Sequence, residues 1–117
     1  MSNPYCVPAA LGFLLNITVD AAELLLKEEL GDKPITGVLY PLILKILKKE
    51  GFGYIKTYCD LKTPNHYLIC FKGHVGVIKN GIYFDNQNRD GTTKFKVLLK
   101  KSTACFKIFK IDPTLEN

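Results

Sequence analysis

Three side chains in this chain can do nucleophilic chemistry as a set: Cys6, His74 and Asp85. Cys6 stands where a polar arm, Asn3-Pro4-Tyr5, gives way to the small and then apolar run Val7-Pro8-Ala9-Ala10-Leu11. Pro8 has its φ preset and no N–H to lose, so it suits the first turn of a helix beginning near Val7. A cysteine at or beside that N-cap faces unpaired N–H groups and the positive end of the helix dipole, both of which favour a thiolate. Cys6 is therefore expected to titrate below the ordinary thiol range and to alkylate fast, with Cys59, Cys70 and Cys105 buried. The competing reading of Cys6 is a buried structural thiol.

A thiol nucleophile needs a base, and the chain has two histidines, His66 and His74. His74 opens the run His74-Val75-Gly76-Val77-Ile78, and Ile82-Tyr83-Phe84-Asp85 follows across Lys79-Asn80-Gly81. Asn-Gly between two such runs is a strong hairpin signal. With a two-residue turn, Lys79 faces Ile82, Gly76 faces Asp85 and His74 faces Gln87. Side-chain alternation then puts His74, Gly76, Asp85 and Gln87 on one face, with His74 and Asp85 diagonal neighbours. A three-residue turn would bring Asn86 opposite His74 and make Asn86 the orienting group; the Asn-Gly pair favours the shorter turn. Gly76 is expected to leave open space in which imidazole and carboxylate meet. The carboxylate would hold the imidazole tautomer and leave its other nitrogen to take the Cys6 proton, the logic of acyl transfer. The plainer reading is a surface histidine and polar residues ending a hairpin.

Elements must position these groups. Asn16 suits a left-handed helix stop. A second helix opens in Thr18-Val19-Asp20-Ala21-Ala22-Glu23, where Asp20 and Glu23 have capping-box spacing. Leu24, Leu25, Leu26 and Leu30 supply its apolar face, and Gly31-Asp32 ends it. A third helix starts at Thr36 or Pro41, carries Leu39, Leu42, Ile43, Ile46 and Leu47 at helical spacing, and closes at Gly51. From Gly53 the pattern turns to β-branched and aromatic runs: 54–59, 67–71, 74–78, 82–85, 95–100 and 105–111. Cys59 and Cys70 fall in such runs and read as small core residues. Helices followed by antiparallel strands make an α+β domain, helical over about 6–50 and sheet over about 53–112. Residues 1–117 form one domain by length.

Composition narrows the function classes. At 47% apolar and 11% aromatic residues, the chain is globular rather than disordered. Its longest apolar runs are too short to span a bilayer. No basic, then apolar, secretory leader is evident, so a cytosolic setting and free thiols are expected. The four cysteines form no C-x-x-C pair, so no metal site is expected. The net charge of +5 is mostly lysine, spread over a helix end and strand surfaces. Without an arginine stripe or a base-stacking motif, nucleic acid is not the expected partner.

Cys6-Val7-Pro8-Ala9-Ala10-Leu11, the helix opening Thr18-Val19-Asp20-Ala21-Ala22-Glu23-Leu24, and Gly73-His74-Val75 with Asp85 together resemble papain-like cysteine peptidases. The resemblance is to small stand-alone bacteriophage members and, more distantly, to bacteriocin-processing peptidase domains. It implies a cysteine at the start of a central helix, a sheet packed on that helix, and a hairpin bearing base and orienter. Carried over, Cys6 is the nucleophile, His74 the general base and Asp85 the orienter, acting on a peptide or protein substrate without metal or cofactor. The phage members imply work in the host cytoplasm. Two departures stand out: Val7 occupies a position that is usually Gly in the bacteriocin-processing domains, and the usual upstream Gln is missing. Asn3 is the nearby amide left to join the Cys6 N–H in an oxyanion hole. The alternative is an inactive module of the same fold that binds a peptide or host protein.

Overall fold

The computed structural model describes residues 6–31, 40–60, 62–86 and 102–111. Three helices come first, α1 (Cys6–Leu15), α2 (Val19–Leu30) and α3 (Tyr40–Lys49). Five strands follow: β1 (Phe52–Lys56), β2 (His66–Phe71), β3 (His74–Lys79), β4 (Ile82–Phe84) and β5 (Ser102–Lys110). The strands form one antiparallel sheet in the order β1-β5-β2-β3-β4. The protein is an α+β fold with its helices N-terminal and its sheet C-terminal. The expected strand at 95–100 lies outside the described residues.

α1 is the central helix because it is apolar on every side, the mark of a buried helix. Eight of its ten residues are buried, Cys6 through Gly12 and Leu14. It packs against α2 and α3 on one side and β3 and β2 on the other. Asn16 ends it at φ 58°, and the Ile17 N–H closes onto the Gly12 carbonyl at 3.0 Å. That turn delivers the chain to Thr18, whose Oγ1 accepts the Ala21 N–H at 3.1 Å and so caps α2. The cap is thus Thr18, and Asp20 sits inside the first turn rather than forming a capping box with Glu23. α3 carries Pro41 at its second position, where a missing N–H costs no helix hydrogen bond. Glu29 of α2 pairs with Lys45 at 3.1 Å and with Lys49, a bridge between α2 and α3.

The sheet separates two cores by strand alternation. Its helix-facing side places Leu68, Cys70, Val75, Val77, Phe106 and Ile108 with Cys6, Val7, Ala10, Leu11 and Leu14 of α1. Ala22 and Leu26 of α2 and Ile43, Leu44, Ile46 and Leu47 of α3 complete that core. The opposite face gathers Tyr67, Ile69, Ile78, Tyr83 and Cys105, with Cys59 and Phe71 packed against them. Cys59 itself follows β1 rather than lying in a strand, and is half-buried. Among the described residues no single helix is long and apolar enough to cross a membrane.

Candidate active site

The β3–β4 hairpin has the two-residue turn. Lys79 pairs with Ile82, Ile78 with Tyr83 and Val77 with Phe84, and Asn80 and Gly81 take φ 54° and 79°. Both turn residues at positive φ match the twist of the flanking strands. One step beyond Phe84, Asp85 falls level with Gly76 and on the same face as His74. His74 Nε2 lies 2.9 Å from Asp85 Oδ2. Asn86, the orienter that a three-residue turn would have supplied, is displaced from that role by the register; its Oδ1 is buried with no hydrogen-bond partner. Gln87 and Asn3 lie outside the described residues.

A residue that spacing alone did not single out joins the pair. Tyr83 Oη donates to the same Asp85 oxygen at 2.8 Å and sits 3.3 Å from His74 Nε2. Its ring occupies the space over Gly76: a Cβ there would come within 2.5 Å of Tyr83 Cζ and closer still to Cε1 and Oη. The expected open space above Gly76 is therefore filled, and the missing side chain makes room for a tyrosine. The signal was present in the sequence, since Tyr83 and Asp85 are two apart in the run Ile82-Tyr83-Phe84-Asp85 and so share a face. Phe71 closes the group, stacking on the His74 ring at 5.9 Å and meeting Tyr83 edge-on at 6.3 Å.

Electrostatics follows from this packing. Burial, then the hydrogen bond and the charge of Asp85, push the Tyr83 phenol far above its ordinary range, so it remains a donor. A neutral His74 that donates its Nε2 proton to the same oxygen would keep Nδ1 as an acceptor. Asp85 is 8% exposed, so these donors stabilise a carboxylate with little access to water.

Cys6 is the first residue of α1 and has no exposed surface. α1 packs against β3, and among the described residues His74 is hydrogen-bonded to Asp85 and Tyr83 and not to Cys6. The backbone N–H groups of Val75, the residue after His74, and of Cys6 itself favour its thiolate, while the Asp85 charge opposes it. Burial nevertheless wins, with Asp85 adding to it, and the thiol is raised above its ordinary value. This corrects the expectation of a depressed thiol at rest: removing the sulfur from water disfavours the anion more than two N–H groups favour it.

The other cysteines also divide differently from expectation. Cys70 and Cys105 are buried, and burial pushes the Cys70 thiol up to about 12. Cys59 is half-buried, and a hydrogen bond from Cys105 draws its thiol below the ordinary value. His66, at the start of β2, pairs with Lys79 of β3, away from His74 at the strand's other end. Burial, then the Lys79 charge, lowers its pKa. Among the described residues, no three His, Cys, Asp or Glu side chains are grouped to hold a metal ion. No family model, curated protein or solved structure matches this chain.

Proposed function

We propose that the protein is a papain-like cysteine peptidase, or a related amidase or isopeptidase, in which Cys6 attacks a peptide or isopeptide carbonyl. The observation that carries this reading is the 2.9 Å His74–Asp85 hydrogen bond, on a strand that packs against α1, the helix Cys6 opens. In the reaction, His74 Nδ1 takes the thiol proton as sulfur bonds to the carbonyl carbon. Breakdown of the tetrahedral adduct expels the amine, which leaves with that proton, and an acyl-enzyme remains. His74 then deprotonates water, and hydrolysis returns the acid and the thiol. Asp85 keeps the imidazole in the Nε2–H tautomer throughout. The Cys6 N–H supplies one oxyanion donor, and Asn3 is the candidate for the other. Burial raises the Cys6 thiol, so its proton must pass to His74 as the sulfur attacks. The resemblance to phage members carries the proposed cytoplasmic setting.

A peptidyl chloromethyl ketone, read at each cysteine by mass spectrometry, tests the reading. Label is expected on Cys6 even though Cys59 is the more exposed thiol. His74→Ala should slow labelling of Cys6 by about 10²-fold or more, the scale of general-base catalysis. Asp85→Asn should fall between, and His66→Ala should leave the rate unchanged. Cys6 labelling that ignores His74→Ala, or label on Cys59 alone, overturns catalysis and leaves a peptide-binding module.

A further inference from the structure

The half-buried Cys59 and the buried Cys105 meet on the sheet face opposite the helices, a site the peptidase reading does not use. β1 ends at Lys56, which pairs with Phe106 of β5, and the Thr57 N–H extends the ladder to the Cys105 carbonyl at 3.0 Å. The chain then leaves the sheet, and two residues on Cys59 folds back over β5, packing against the cluster that contains Cys105. Both thiols belong to one apolar cluster, Cys105 within it and Cys59 packed against it. Cys70 lies one position along, pairing with Ala104, but points to the helix side of the sheet. It therefore cannot compete for Cys105. Cys6 is also in the helix-side core.

We propose that Cys59 and Cys105 are a peroxide-responsive thiol pair that closes to an intrachain disulfide, with Cys59 the attacking thiol and Cys105 the resolving one. Exposure sets the order, since an oxidant reaches the half-buried Cys59 before Cys105, which is 7% exposed. The Cys59 sulfur displaces one oxygen of a hydroperoxide, giving sulfenic acid and releasing water or an alcohol. Cys105 sulfur then attacks the Cys59 sulfur and the hydroxyl leaves as a second water; two thiols are oxidised and one O–O bond is reduced. The bond would staple the 57–60 segment to β5. Cys105 shares a cross-sheet row with Ile69, and Ile69 with Gly76, so the staple reaches the row beneath Tyr83.

Treating the folded, reduced chain with stoichiometric hydrogen peroxide tests this independently of any peptidase activity. The intact mass should fall by about 2 Da for the two hydrogens lost. A digest should show one linkage, Cys59 to Cys105, with Cys6 and Cys70 alkylatable after denaturation. Cys105→Ser should stop at a Cys59 sulfenic acid trapped by dimedone, and Cys59→Ser should form no disulfide. A linkage through Cys6 or Cys70, chains joined Cys59 to Cys59, or Cys59 passing to sulfinic acid unpaired overturns the proposal. So does equal pairing in denaturant, because the folded sheet would then contribute nothing.

Discussion

Gly76→Ala puts the arrangement of the site at risk in one step. Gly76 lies within β3 without a positive φ, so alanine there meets no backbone strain. On backbone grounds alone the change should stabilise the fold by about 0.4–1 kcal/mol, through loss of unfolded-state entropy. The Tyr83 ring reverses that sign. A new Cβ would lie 2.5 Å from Cζ, about 1 Å inside van der Waals contact. Tyr83 is 2% exposed and held edge-on by Phe71, so its ring has nowhere to retreat without repacking. Overpacking costs about 1–3 kcal/mol. Pulling Oη off the carboxylate forfeits a charge-assisted bond worth about 1.5–3 kcal/mol. Less the backbone gain, the net loss is about 2–5 kcal/mol, and at about 4 °C per kcal/mol for a chain of this size Tm should fall by about 8–20 °C. Thermal unfolding followed by circular dichroism measures it. Tyr83→Phe keeps the clash and lacks the bond, so the double variant should fall short of the summed single losses by about 1.5–3 kcal/mol. A neutral or stabilising Gly76→Ala would refute the placement of Tyr83 and the site built on it.

Other outcomes follow from the same contacts. Thr18→Ala removes the Oγ1 cap from the Ala21 N–H and should cost about 0.5–2 kcal/mol in denaturant unfolding, whereas Asp20→Ala should cost less. His66 has its pKa lowered in the fold, by burial first and Lys79 second, so the unfolded chain binds its proton more readily. Its stabilising contribution is complete above the unfolded value of about 6.5 and is lost as pH falls from there through the lower folded value. His66→Asn should flatten stability over that window, and Lys79→Gln should raise the His66 midpoint in an NMR titration.

Local signals carried a large part of the fold and of the site. Asn80-Gly81 dictates a turn whose dihedrals suit few other pairs, and the turn alone sets the register that brings Asp85 to His74. Pro8 and the apolar run after Cys6 mark the start of α1, because cap preferences act within one turn. The switch from helical to strand-like patterning near Gly53 is likewise a property of neighbouring residues, and it places the sheet after the helices. What depends on distant partners was not legible. β5 enters the sheet between β1 and β2, a choice made by long-range pairing that no local pattern specifies. The α2 cap fell at Thr18, two residues before the expected Asp20, a shift set by where α1 ended and turned. Most tellingly, the same helix start that promised a thiolate buries Cys6 between α1 and β3, and desolvation outweighs the N–H groups. The dipole acts through the helix itself, but burial is decided by everything packed around it, here α2, α3 and the helix-facing side of the sheet.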